Sequence, residues 1–88
     1  MRKDGNAEII NSPSPSSCLR VRTQPGLSAQ QVGILCDGSK VRLLSDAASV
    51  DGFIWWSIEG TDSTGKDVKG FAAEKSVDGA SVFMKPVP

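Results

Sequence analysis

The chain has 88 residues, 39% hydrophobic and 23% charged, with ten basic and ten acidic side chains, enough for one small domain with a limited core. The charges cancel and form no block, which removes the basic footprint of a nucleic-acid binder, and no apolar run reaches membrane-spanning length. There is no His, so nucleophilic catalysis lacks its commonest base.

In chain order, "MRKDGNAEII" begins basic but lacks the long apolar segment of a signal peptide. If the parent protein is exported, its signal lies outside this chain. "NSPSPSS" follows at residues 11–17. Small polar residues with Pro13 and Pro15 resist helix, so residues 1–16 read as a flexible linker. The apolar pattern then becomes short and alternating: "CLRVRT", "QVGILC", "KVRLLS", "FIWWSIE", "VKGFAA" and "SVFM". Turn signals separate these runs at Pro25-Gly26, Asp37-Gly38, Asp51-Gly52, Thr64-Gly65 and Asp78-Gly79. Short strands spaced by such turns predict an all-β barrel or sandwich. "AAEKS" at Ala72 to Ser76 suits a single 3₁₀ turn. "SVDG" occurs at residues 49–52 and 76–79 with unlike flanks, which reads as two similar turns. Residues 86–88 form a C-terminal tail. A block over 17–85 between two linker-like ends is the expectation for a domain cut from a longer chain.

Two hairpins fix registers that can be checked. One centred on Thr64 places Trp56 opposite Ala72, Ile58 opposite Gly70 and Glu59 opposite Lys69. Neighbouring strand residues face opposite ways, so Trp56 shares the core face of Ile58 and Trp55 looks outward. Trp55 is then either bare, a rigid apolar surface with one N–H donor, or covered by the 49–53 loop or the linker. A second hairpin, centred on Leu27, pairs Leu19 with Leu35 and Cys18 with Cys36. That pair is either a cross-strand disulfide or two free thiols, and the disulfide fits an exported protein.

The segments "LRVRTQPG", "VGILCDGSKVRLL", "GFIWWSIEG" and "GKDVKGFAAE" together resemble the bacterial SH3-like (SH3b) family. The resemblance is carried by Leu19, Val21, Arg22, Pro25-Gly26, Gly33, Leu35, Gly38, Lys40-Val41, Trp55-Trp56, Ile58, Gly65 and Gly70-Phe71. It covers about residues 17–85. Phe71 stands where the family usually has Trp, "SDAASVDGF" is longer than usual, and the Cys pair is a further departure. The resemblance implies an all-β, SH3-like, partly open barrel of about five to seven short antiparallel strands. It also implies a non-catalytic domain of an exported protein, of a kind often appended to cell-wall hydrolases and in some cases binding wall peptides.

Other constellations read as structure. "GTDSTGKD" satisfies the spacing of a phosphate-binding loop, but Asp67 stands where Ser or Thr is needed and a strand follows instead of a helix. The acidic pairs Asp62 with Asp67 and Asp51 with Asp46 fall in turns, where Asp is favoured by the backbone. Two Cys without His make no zinc site, and no loop has calcium-ligand spacing. Arg20 and Arg22 lie outward on their strand, where they either solvate that face or grip a carboxylate. The expectation is a monomeric, extracellular or cell-envelope binding module with no catalytic residues, cofactor or metal. Its ligand would be a cell-wall (peptidoglycan) peptide or glycan. Trp55 and Phe53 would offer apolar surface, Arg22 a charge, and Gln24 within the 24–28 turn polar contacts. The alternative is a structural domain that packs against its parent enzyme.

Overall fold

The computed structural model describes residues 4–10, 18–45, 47–62 and 64–87. Eight strands account for most of them: β1 (Asn6–Ile9), β2 (Cys18–Arg22), β3 (Gln31–Cys36), β4 (Lys40–Leu43), β5 (Ala48–Val50), β6 (Phe53–Thr61), β7 (Asp67–Ser76) and β8 (Met84–Val87). All pairings are antiparallel and belong to one sheet in the order β3-β2-β7-β6-β4-β1-β8, with β5 added to β6. The sheet does not close. The segment leading into β8 approaches β7, where the Phe83 N–H donates to the Glu74 carbonyl at 2.6 Å and Val82 bridges Lys75.

The β6–β7 hairpin is the longest element and holds the expected register: Trp56 faces Ala72, Ile58 faces Gly70 and Glu59 faces Lys69. Large residues of β6 thus meet small ones of β7, which lets a third layer of backbone come close. Beyond Trp56 the register shifts: Trp55 faces Ala73 but Ile54 faces Lys75, so Glu74 is an extra residue in β7. This bulge places Glu74 to accept a 2.7 Å hydrogen bond from the Trp56 indole. It also carries β7 on through Ser76, so Ala72 to Ser76 is strand and not the expected 3₁₀ turn. Strand pairing to β6 supplies the bonds that a local turn would otherwise supply.

β2 and β3 pair Leu19 with Leu35 and Cys18 with Cys36, and the two cysteines form a disulfide. In the chain-entropy model such a loop contributes about 3 kcal/mol. The core collects Ala7, Ile9, Leu19, Val21, Leu35, Val41, Leu43, Trp56, Ile58, Val68, Ala72 and Met84, drawn from seven strands.

Both ends differ from the expectation. Residues 1–16 are not a linker throughout, because Asn6–Ile9 form β1 between β4 and β8, with Ala7 and Ile9 fully buried. "NSPSPSS" lies outside the described residues. Pro86 and Val87 are not a free tail but part of β8, opposite Ala7 and Asn6. Proline is compatible there because β8 ends the sheet, and an edge strand needs hydrogen bonds on one side only.

Candidate functional site

The site starts from the Asp51-Gly52 turn. Both residues take positive φ, 54° and 81°, the conformation of a two-residue turn joining strands with native twist. It folds Val50 onto Phe53 and lays β5 beside the first half of β6, with Ala48 opposite Trp55.

This placement decides between the two readings of Trp55: residues of the 49–53 segment cover it, so it is not bare and the expected ligand surface at Trp55 is withdrawn. Trp55 is 2% exposed. Its indole N–H donates to the Val50 carbonyl at 2.8 Å, and the Phe53 ring meets it edge-on at 6.4 Å. The alternation itself holds, since Trp56 belongs to the core cluster with Ile58 and Trp55 does not. What the outward face lacks is solvent: the Val50 carbonyl and the Phe53 ring lie against the indole. Three short residues, Ala48-Ser49-Val50, gave no apolar alternation; the Asp-Gly dipeptide after them was the only available signal.

Phe53 is half-buried and also contacts Phe83, with ring centroids 6.2 Å apart. Gln24 is exposed in the loop after β2. That loop docks on the same turn: the Leu27 N–H donates to Asp51 Oδ2 at 2.9 Å. Gly26, at φ 127°, passes so close that a Cβ there would lie 3.1 Å from that oxygen. From the other side, the Val77 N–H donates to the Gly52 carbonyl at 2.9 Å. The two "SVDG" turns therefore touch each other. Leu27 and Val77, 52% and 56% exposed, are each tied to one residue of the central turn. The sequence gives Leu27 only as a hairpin centre and does not single out Val77, because each looks like an isolated apolar residue in a loop.

Arg22 is placed differently. It is half-buried, its Nη1 donates to the Ala29 carbonyl at 2.9 Å, and it faces Phe71 on β7. Phe53 faces Ser76, five residues further along β7 and roughly 15 Å away. The structure thus gathers Gln24's loop, Phe53 and the support from Trp55, but leaves Arg22 at the base of the loop.

The remaining polar clusters are occupied by their own turns. Asp62 Oδ1 accepts from the Thr64 N–H (2.9 Å), the Thr64 hydroxyl (2.6 Å) and the Lys66 N–H (3.0 Å). A carboxylate thus already fills the amide cradle that a phosphate would need in "GTDSTGKD". Asp67 accepts a 3.4 Å bond from Thr61, and Asp46 lies outside the described residues. Asp78 accepts from the Ser76 hydroxyl (2.6 Å) and the Ala80 N–H (2.9 Å). A shallow cleft of about 410 Å³ lies between Glu59, Thr61, Asp67 and Lys69, at the other end of β6 from Phe53.

Hydrogen bonds to the charged form hold both turn carboxyls below the usual range, chiefly from the Thr64 side chain for Asp62 and from the Ser76 side chain for Asp78. A lowered folded pKa means stabilisation that is complete above the unfolded value, about 4, and lost as pH falls through the folded value. The thermal midpoint should therefore drop as pH is lowered below about 4. The double variant Asp62→Asn with Asp78→Asn should show a shallower drop over that window and a lower midpoint at pH 7. Circular-dichroism melts from pH 2 to 7 measure both slopes; equal slopes in the two proteins would contradict the assignment.

Compared with protein-family models, curated proteins and solved structures, the chain finds no match in any of the three.

Proposed function

We propose that the chain is a non-catalytic, SH3-like binding module of an exported bacterial protein, and that it recognises a cell-wall peptide or glycan. The carrying observation is the loop cluster: exposed Leu27 and Val77 tied to either residue of the Asp51-Gly52 turn, next to Phe53. Apolar side chains on a backbone already fixed by hydrogen bonds lose little freedom on binding, which favours recognition. Gln24 and the turn around it supply polar contacts. Trp55 acts from beneath, holding Val50, and Arg22 positions the loop through Ala29. The motif resemblance to SH3b domains supports the wall as the source of the ligand. With both cysteines joined and no His in the chain, the residues suit recognition better than nucleophilic catalysis.

The test is retention of the purified domain on isolated peptidoglycan sacculi. The parent domain should be retained, and Leu27→Asp and Val77→Asp should each weaken retention at least about fivefold. Both sites are exposed, so circular dichroism should report an unchanged fold. Failure of the parent domain to bind sacculi of several peptide chemistries would overturn the reading and favour packing against a neighbouring domain.

A further inference from the structure

The two ends of the sheet are built differently. β8 carries Lys85 and Pro86, residues that discourage another strand from pairing. β3, Gln31 to Cys36, has neither a charge nor a proline. No described strand lies on its outer side.

Which backbone groups point outward follows from the register. Opposed residues in an antiparallel pair alternate between a wide hydrogen-bonded pair and a close non-hydrogen-bonded one. The Cys18 and Cys36 Cα atoms are 3.7 Å apart, the close kind. Leu19 with Leu35 is then the hydrogen-bonded pair, and Arg20 with Ile34 is again non-bonded. The hydrogen bond from Thr23 N–H to the Gln30 carbonyl agrees with this phase once the bulge between Val21 and Arg22 is counted. In a non-bonded pair, N–H and C=O point away from the partner strand. Ile34 therefore presents both groups to the open edge, and Cys36 presents its N–H. The Cys36 carbonyl is taken by Ser39 N–H at 3.0 Å. The bulge limits the usable edge to the Gly33–Cys36 half of β3.

Around Ile34 the chemistry is cationic and apolar, and the exposed Asp37 lies beyond Cys36 in the turn that ends the strand. Ile34 is 40% exposed, and the exposed Arg20 lies directly opposite it on β2. Among the described residues, Arg20 has no ion pair and no side-chain hydrogen bond. A residue added outside Ile34 would project from the same face, within reach of the Arg20 guanidinium across the Ile34 side chain. A second copy of the chain would instead bring two Arg20 side chains to one face with no acid between them.

We propose that the Gly33–Cys36 edge of β3 takes up an extended acidic peptide as an added strand, with a carboxylate side chain opposite Ile34 meeting Arg20. This surface is separate from the loop cluster and does not depend on a wall ligand. Backbone pairing supplies affinity and Arg20 supplies the preference for acid.

The probe is a capped five-residue peptide with a central glutamate flanked by valines and threonines, titrated into the ¹⁵N-labelled protein. Two controls carry a central lysine or an N-methylated glutamate. The Ile34 and Cys36 amides should shift and become protected from exchange. The glutamate peptide should bind at least about fivefold more tightly than the lysine peptide. Arg20→Ala should abolish that preference while leaving retention on sacculi unchanged, and N-methylation should abolish binding. Leu27→Asp should leave peptide binding unchanged. Unmoved Ile34 and Cys36 amides at millimolar peptide, or equal binding of the glutamate and lysine peptides, would overturn the proposal. So would concentration-dependent protection of these amides without peptide, together with a doubled mass in sedimentation, which would identify a second copy at the edge.

Discussion

Replacing Trp55 with Ala should cost about 3–5 kcal/mol of folding stability, the range for emptying a buried aromatic site. The reason is burial: Trp55 is 2% exposed, with its indole N–H on the Val50 carbonyl and the Phe53 ring against it. A surface Trp engaged only with ligand would change stability by about 0.5 kcal/mol or less. Trp55→Phe separates the two contributions, because it keeps most of the ring packing and removes the donor. Its expected cost is about 1 kcal/mol, the usual net value of one hydrogen bond, plus a small cavity penalty. Urea unfolding followed by circular dichroism measures both variants. A Trp55→Ala protein as stable as the parent would show that this side chain is not packed as the structure has it. Loss of ligand binding in Trp55→Ala would not by itself assign a contact, since the 50–53 turn rests on this residue.

Gly70→Ala should be the most disruptive single-methyl change, at about 3 kcal/mol, the upper end for overpacking. A Cβ at Gly70 would lie 2.5 Å from the Arg22 carbonyl oxygen and 2.9 Å from Val21 Cγ1. The first of these is backbone and cannot rotate away, so β2 would have to withdraw from β7 where Arg22 faces Phe71. Gly33→Ala provides the comparison. Its Cβ would meet Val68 Cγ1 at 2.9 Å; Val68 is stiff and buried, but the clash is with a side chain and not with backbone, so about 2 kcal/mol is expected. Chemical denaturation of the two variants should rank Gly70→Ala below Gly33→Ala; the reverse order would place β2 further from β7 than the structure does.

These two residues also show what was readable from the sequence. Gly70 opposite Ile58 and Trp56 opposite Ala72 follow from one local hairpin, because a turn at Thr64 and a period of two fix every pair between its arms. The same logic placed Cys18 opposite Cys36. The reason Gly70 must be glycine was not readable, because it lies in β2, nearly fifty residues earlier in the chain. For Trp55 the sequence leaves the bare and covered readings open for the same kind of reason. Its face follows from alternation, but its cover comes from the Val50 carbonyl and the Phe53 ring, placed by a turn whose preceding residues, Ala48-Ser49-Val50, show no pattern of their own. β1 was hidden by its brevity and by the Pro-rich stretch after it, and β8 by Pro86. A proline argues against a central strand but is silent about an edge strand, and only the sheet order distinguishes them. The loop cluster was partly legible. Gln24 and Phe53 were named, whereas Leu27 and Val77 gain meaning only when the two "SVDG" turns and the 23–30 loop come together. Arg22 was read as a ligand-facing charge, yet its hydrogen bond to Ala29 makes it a brace for that loop.

The most direct measurement is an amide-resolved NMR titration of the labelled domain with soluble peptidoglycan fragments of several peptide chemistries. Saturable shifts are expected at residues 24–28, 50–53 and 77–79, with the Trp55 indole N–H protected from exchange before and after binding. Absence of shifts with every fragment, or shifts that cluster around Glu59, Thr61, Asp67 and Lys69 while the three loops stay unchanged, would contradict it.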